Sequence, residues 1–159
     1  DFKCEFPSYD DDQIALLIEL LSEILDRFPS IDPIDVVGHS DIAILRKSDP
    51  GPRFPWQQLY EAGIGAWYEP DTKAKYEQRF SSEPPSLQTV QNALNRLGYQ
   101  VEPSGNYDRA TQYAMRAMQL HFRPGDFSGT VDVESMAIIW ALLERYRPAE
   151  LDDLQARRA

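Results

Sequence analysis

Apolar residues recurring at three- and four-residue steps commit four stretches of this chain to helices that bury one face. Ile14, Leu17, Ile18, Leu21, Ile24, Leu25 and Phe28 form the first stripe. Leu87, Val90, Leu94 and Leu97 form a second, Ala110, Ala114, Ala117, Met118 and Phe122 a third, and Met136, Ile139, Leu142, Leu143 and Tyr146 a fourth. The helix starts are marked as well. Asp10, Asp11 and Asp12 suit the positive end of the first helix dipole, and Asp108 and Asp132 stand where N-caps of the third and fourth belong. Pro29 closes the first helix, and Gly98, Gly105, Gly125 and Gly129 punctuate the later ones. No internal repeat is evident.

Between the first two stripes the pattern changes. Residues 34–38 (Ile-Asp-Val-Val-Gly) are short and β-branched, and predict a buried strand delivering the chain to His39. Residues 41–56 contain Pro50, Gly51, Pro52 and Pro55, which reject both helix and central strand. Irregular loops of this length tend to carry function. A short helix is expected from Pro55 to Gly63, with proline at its start and glycine past its end. Residues 69–85 are polar and aperiodic and read as a linker, and 149–159 read as a charged, frayed tail. The expected architecture is α/β over 1–68, the end of a mixed sheet with flanking helices, then linker 69–85, then an all-α three-helix domain over 86–148, then the tail.

Charge narrows the partners. A net charge of −10 repels polyphosphates, so nucleic acid and anionic membrane surfaces are excluded. No stretch approaches the roughly 20 apolar residues of a membrane-spanning helix. The single cysteine, Cys4, cannot close a disulfide within the chain. A start at Asp1, without Met or leader, reads as a processed or cut product.

His39 ends the predicted strand, and Asp49 follows in the proline-stiffened loop. Imidazole nitrogen and carboxylate oxygen both bind zinc at about 2.0–2.2 Å, and catalytic zinc takes three protein ligands plus water. Two such residues leave a metal pair and an ordinary strand-end histidine both open.

The wider context resembles a known family. Gly38-His39-Ser40-Asp41-Ile42-Ala43, then Arg46-Lys47-Ser48-Asp49-Pro50-Gly51-Pro52, then Phe54-Pro55-Trp56 are similar to the second half of the active site of type 2 N-acetylmuramoyl-L-alanine amidases. The resemblance implies Zn2+ as cofactor, His39 and Asp49 as metal ligands, and Lys47 as the cation over the developing oxyanion. Asp41 and Arg46 are read as supports of the loop. Ile44-Leu45 departs from the family's Pro-Gly or Pro-Gln. The family's first zinc histidine and catalytic glutamate lie upstream of what this sequence contains. The other histidine, His121, falls among the helices. The N-terminal half of the same amidase, cut away or held in a separate chain, is therefore the expected partner, and this chain alone is expected to be inactive.

Downstream, Leu87-Gln88, Leu94-Asn95-Arg96-Leu97-Gly98-Tyr99, Gly105-Asn106-Tyr107-Asp108-Arg109-Ala110-Thr111, Ala114 and Met118-Gln119 resemble the type 1 peptidoglycan-binding domain. This implies peptidoglycan as partner and the periplasm or cell envelope as location, with outer-membrane anchoring known among relatives. Tyr99, Tyr107, Tyr113, His121, Phe122, Arg123 and Phe127 are candidates to hold a sugar-peptide polymer, though each reads first as core or cap. Two functions follow: zinc-dependent hydrolysis of the amide between N-acetylmuramic acid and L-alanine, or a non-catalytic peptidoglycan-binding fragment or scaffold.

Overall fold

The Asp10 side chain accepts from the amides of Asp12 and Gln13, and so starts α1 (Asp11–Arg27) where the acidic run predicts. The structure, a computed structural model, describes residues 6–156; Cys4 lies outside them. One edge of α1 buries Ile14 against Leu59 and Ile64. The other leaves Leu16, Leu20, Ile24 and Phe28 exposed.

The expected strand is not there. Pro33–Asp35 form a 3-10 turn, residues 36–38 run extended without a ladder, and His39 opens a one-turn helix, α2 (His39–Ile42). The α/β assignment is therefore wrong: every described element is helical. The physical reason is that β-branched residues favour an extended backbone only where a neighbouring strand takes their amides and carbonyls. Pro33 instead presets a tight turn whose bonds close locally, from Asp35 N–H to Asp32 O and from Val36 N–H to Pro33 O.

The short helix α3 (Trp56–Glu61) forms as expected, with Pro55 before it and Gly63 beyond. The stretch read as a linker contains a full helix, α4 (Pro70–Ser82). Tyr76 and Phe80 supply its buried face, four residues apart, and two apolar positions in a polar stretch are too few to announce a period. The tail expected to fray carries α8 (Pro148–Ala156), which buries Leu151 and Leu154.

The remaining helices, α5 (Leu87–Arg96), α6 (Arg109–Phe122) and α7 (Val133–Tyr146), follow their stripes. They contain a repeat that the sequence conceals. Gln91 in α5 accepts from the Gly105 amide and donates to Thr111 Oγ1, while Asp108 caps Thr111 N–H. Gln119 in α6 accepts from the Gly129 amide and donates to Ser135 Oγ, while Asp132 caps Ser135 N–H. Gly-x-x-Asp-x-x-Thr/Ser thus occurs twice, each time read by a buried glutamine from the preceding helix. These polar hubs fix the helix starts inside an otherwise apolar core.

That core is shared along the chain. Ile34, Trp56 and Trp67 pack in one cluster with Phe122, Trp140 and Leu143. Tyr146 exchanges hydrogen bonds with the Trp67 backbone at 3.2 and 3.0 Å, and Arg147 bridges Asp32 and Asp35 at 3.0 and 2.9 Å.

Candidate functional site

The segment bearing His39 and Asp49 is held by its backbone. Ser40 N–H donates to the Asp49 carbonyl at 2.8 Å, which sets the two predicted ligands in register. Tyr9 O–H donates to the Pro50 carbonyl at 2.8 Å. A Cβ on Gly38 would come within 2.5 Å of Pro50 Cδ, so the chain before His39 lies directly on the proline loop and needs glycine there. Gly51 takes φ +86°, the left-handed region that lets the loop turn between its two prolines.

Within this frame His39 Nδ1 lies 2.7 Å from Asp49 Oδ2, with side chains 61% and 56% exposed. The hydrogen bond from His39 is the main cause holding the Asp49 carboxyl below its ordinary range, and the Lys47 charge adds to it. Lys47 is exposed beside them, on the turn whose amide returns to the Ala43 carbonyl. The three predicted site residues therefore stand together at one open edge. Among the described residues no group of three or more His, Cys, Asp or Glu is placed to hold a metal.

Below this edge lies a connection that the sequence did not reveal. Asp41 is 5% exposed and accepts three hydrogen bonds: from Gly38 N–H at 2.8 Å, from Tyr99 O–H at 2.7 Å and from His121 at 3.0 Å. The bond to Gly38 was legible, since Gly-x-x-Asp at a helix start has capping-box spacing. Tyr99 and His121 come from the helical half. Burial, then the Asp41 charge, pushes the Tyr99 phenol well above its usual value, so it stays a donor. Trp56 stacks on His121 at 3.7 Å and seals the network.

Of the candidates for holding a polymer, Tyr99, His121 and Phe122 are buried and serve the core. Arg123 is tied to Asp132, Glu134 and Asp126. Tyr107 donates to the Gly129 carbonyl, and Phe127 lies under Arg116. Tyr113 is half-buried and lines a groove beside Lys47.

Residues 83–139 match the peptidoglycan binding domain family. Over 142 residues, 89% of the chain, the sequence is 42% identical to N-acetylmuramoyl-L-alanine amidase AmiD of Escherichia coli K12. The chain is homologous to N-acetylmuramoyl-L-alanine amidases over most of its own length. It spans about half the length of this amidase relative, 51% of AmiD. The crystal structure of AmpDh3 from Pseudomonas aeruginosa in complex with anhydromuramic pentapeptide superimposes with a TM-score of 0.85 at 45% identity, over 89% of this chain and 56% of that one. The Escherichia coli AmiD amidase, in complex with the substrate anhydro-N-acetylmuramic acid-L-Ala-D-γ-Glu-L-Lys, gives 0.76 at 40% identity, over 87% of this chain and 54% of that one.

Proposed function

We propose that this chain is the site-closing and wall-binding part of an amidase that cleaves the bond between N-acetylmuramic acid and L-alanine in peptidoglycan. The observation that carries the reading is the 2.7 Å approach of His39 to Asp49 in a backbone-fixed loop, within a chain homologous to amidases. An imidazole and a carboxylate that meet at an open edge are suitable donors for Zn2+, and both side chains are free enough to turn toward one ion. Zinc, when bound, polarises the amide carbonyl and makes water acidic enough to attack near neutral pH. His39 and Asp49 would supply two of the groups that hold the ion. Lys47 presents an ammonium to the charge that develops on the carbonyl oxygen.

The remaining ligand and a general base come, in this reading, from the N-terminal half of the same amidase. What supports that partner is the apolar surface left open by Leu16, Leu20, Ile24 and Phe28 on α1 and by Val37 and Ile42 beside His39. Residues 1–68 then complete the catalytic domain and 86–148 bind the wall, in the periplasm or cell envelope.

The test is made on the assembled amidase. His39→Ala and Asp49→Ala each lose bound zinc and the release of stem peptides from purified peptidoglycan. Full activity in either variant overturns the proposal. Zinc-independent binding to peptidoglycan with no released peptide from the assembled wild type would favour the scaffold reading, which the lack of a three-ligand group among the described residues also supports.

A further inference from the structure

Beside Lys47 a groove of about 380 Å³ runs between residues 44–48 and one face of α6. Its lining includes Arg46, Lys47 and Arg116 but no Asp or Glu, in a chain whose net charge is −10. Arg46 and Lys47 are exposed, and no described acid forms a salt bridge with either. The α6 wall is built rather than incidental. Arg116 is anchored by donating to the Phe127 carbonyl at 2.9 Å and by lying 4.8 Å above the Phe127 ring. Tyr113 is braced by Arg109, 5.2 Å from its ring. Gln112 stands exposed next to it, a neutral donor and acceptor at the groove's edge.

We propose that the α6 face, through Gln112, Tyr113 and Arg116, forms the second wall of a subsite for the anionic stem peptide of the substrate. The peptide leaves the scissile amide, passes Lys47 and lies in the groove, with its free carboxylates toward the cations. This rests on the amidase reading and extends it: the helical half recognises the peptide of the bond being cut, in addition to attaching to the wall. The ligand chemistry matches. A γ-linked D-Glu keeps its α-carboxylate free, and the peptide ends in another, so the chain brings at least two anions to a cationic groove in an acidic protein. Tyr113 offers a flat apolar surface for the peptide backbone and side chains between those charges.

The test measures binding by the chain as it stands, without zinc and without cleavage. The probes are anhydro-N-acetylmuramic acid-L-Ala-D-γ-Glu-L-Lys and the same compound with its carboxylates converted to amides. Gln112→Glu, Arg116→Gln and Tyr113→Ala are compared by calorimetry, with circular dichroism and thermal melts confirming the fold. Each variant weakens the acidic probe about five- to tenfold, and the amidated probe binds the wild type that much more weakly and is indifferent to Gln112→Glu. Equal affinity of the two probes, no binding by the wild type, or unchanged affinity in folded Gln112→Glu overturns the subsite. Because no step needs His39, Asp49 or a metal, the subsite stands or falls separately from the zinc assignment.

Discussion

Asp41 and His121, 80 residues apart in the chain, meet 3.0 Å apart with both side chains almost wholly buried. The carboxylate also takes the Tyr99 hydroxyl and the Gly38 amide, so one side chain joins the start of α2 to two points of the helical half. Asp41→Ala leaves buried donors without an acceptor, at about 1–3 kcal/mol each, and a loss of roughly 3 kcal/mol or more is expected in urea unfolding. Tyr99→Phe removes a single donor and costs about 1 kcal/mol. Because the partners form one network, Asp41→Ala combined with His121→Ala falls well short of the sum of the single changes. Additive values would show the connection to be incidental.

Lys47 is separable from His39 and Asp49, the proposed ligands beside it. Its side chain is exposed and makes no described hydrogen bond, so Lys47→Ala leaves the melting temperature of the chain near that of the wild type. In the assembled amidase the same change lowers kcat about 100- to 1,000-fold with KM and zinc content unchanged. Loss of zinc instead would assign Lys47 to holding Asp49, whose carboxyl its charge stabilises.

How much of this was readable follows from how far each interaction reaches. Asp10, Asp108 and Asp132 were legible as caps because a cap needs only the next two or three residues. The His39, Lys47 and Asp49 cluster was legible through a local motif. The strand at 34–38 failed because β-branching reports an extended backbone and says nothing of a pairing neighbour. Helix α4 was missed because Tyr76 and Phe80 are its whole buried face. The double Gly-x-x-Asp-x-x-Thr/Ser was hidden because glutamines 14 and 10 residues upstream are what make the two copies equivalent. The bonds from Asp41 to Tyr99 and His121 had no sequence signal, since only the tertiary fold brings positions 58 and 80 residues apart together.

That α4 belongs to the core has a direct consequence. Phe80 is 1% exposed and meets Trp140 edge-on, with ring centroids 5.0 Å apart. Phe80→Ala opens a cavity under α7 and costs about 3–5 kcal/mol, measured by denaturant unfolding. A flexible linker would lose almost nothing on the same change.

The two glycines of the hidden repeat respond unequally to alanine. Gly105 and Gly129 both take positive φ, +74° and +85°, where a Cβ costs about 1–2 kcal/mol. At Gly105 a new Cβ meets only Gln88 Cβ at 3.8 Å, an ordinary contact. At Gly129 it would come within 2.7 Å of the Gln112 backbone carbonyl. Gly129→Ala therefore lowers the melting temperature clearly more than Gly105→Ala, and equal losses would show that α6 yields freely at Gln112.

Glu144 links α7 to α4, accepting from Lys75 and from the Tyr76 hydroxyl, each at 2.6 Å. Those bonds, Lys75 first, hold its carboxyl below the ordinary value of 4.5 despite partial burial. A carboxyl depressed in the folded state contributes stability that is complete above its unfolded value and disappears as pH falls through its folded one. Glu144→Gln removes that contribution at every pH. The wild type is thus the more stable protein at pH 7, and the two unfolding curves converge as acid protonates Glu144, below about pH 4.5. Asp108 and Asp126 have lowered values too, but both proteins keep them, so the difference between the curves isolates Glu144. Its side chain is 39% exposed, so the gap also narrows with added salt. Curves that stay parallel from pH 7 to pH 3 would mean that the two hydrogen bonds survive protonation and that the ion pair contributes nothing.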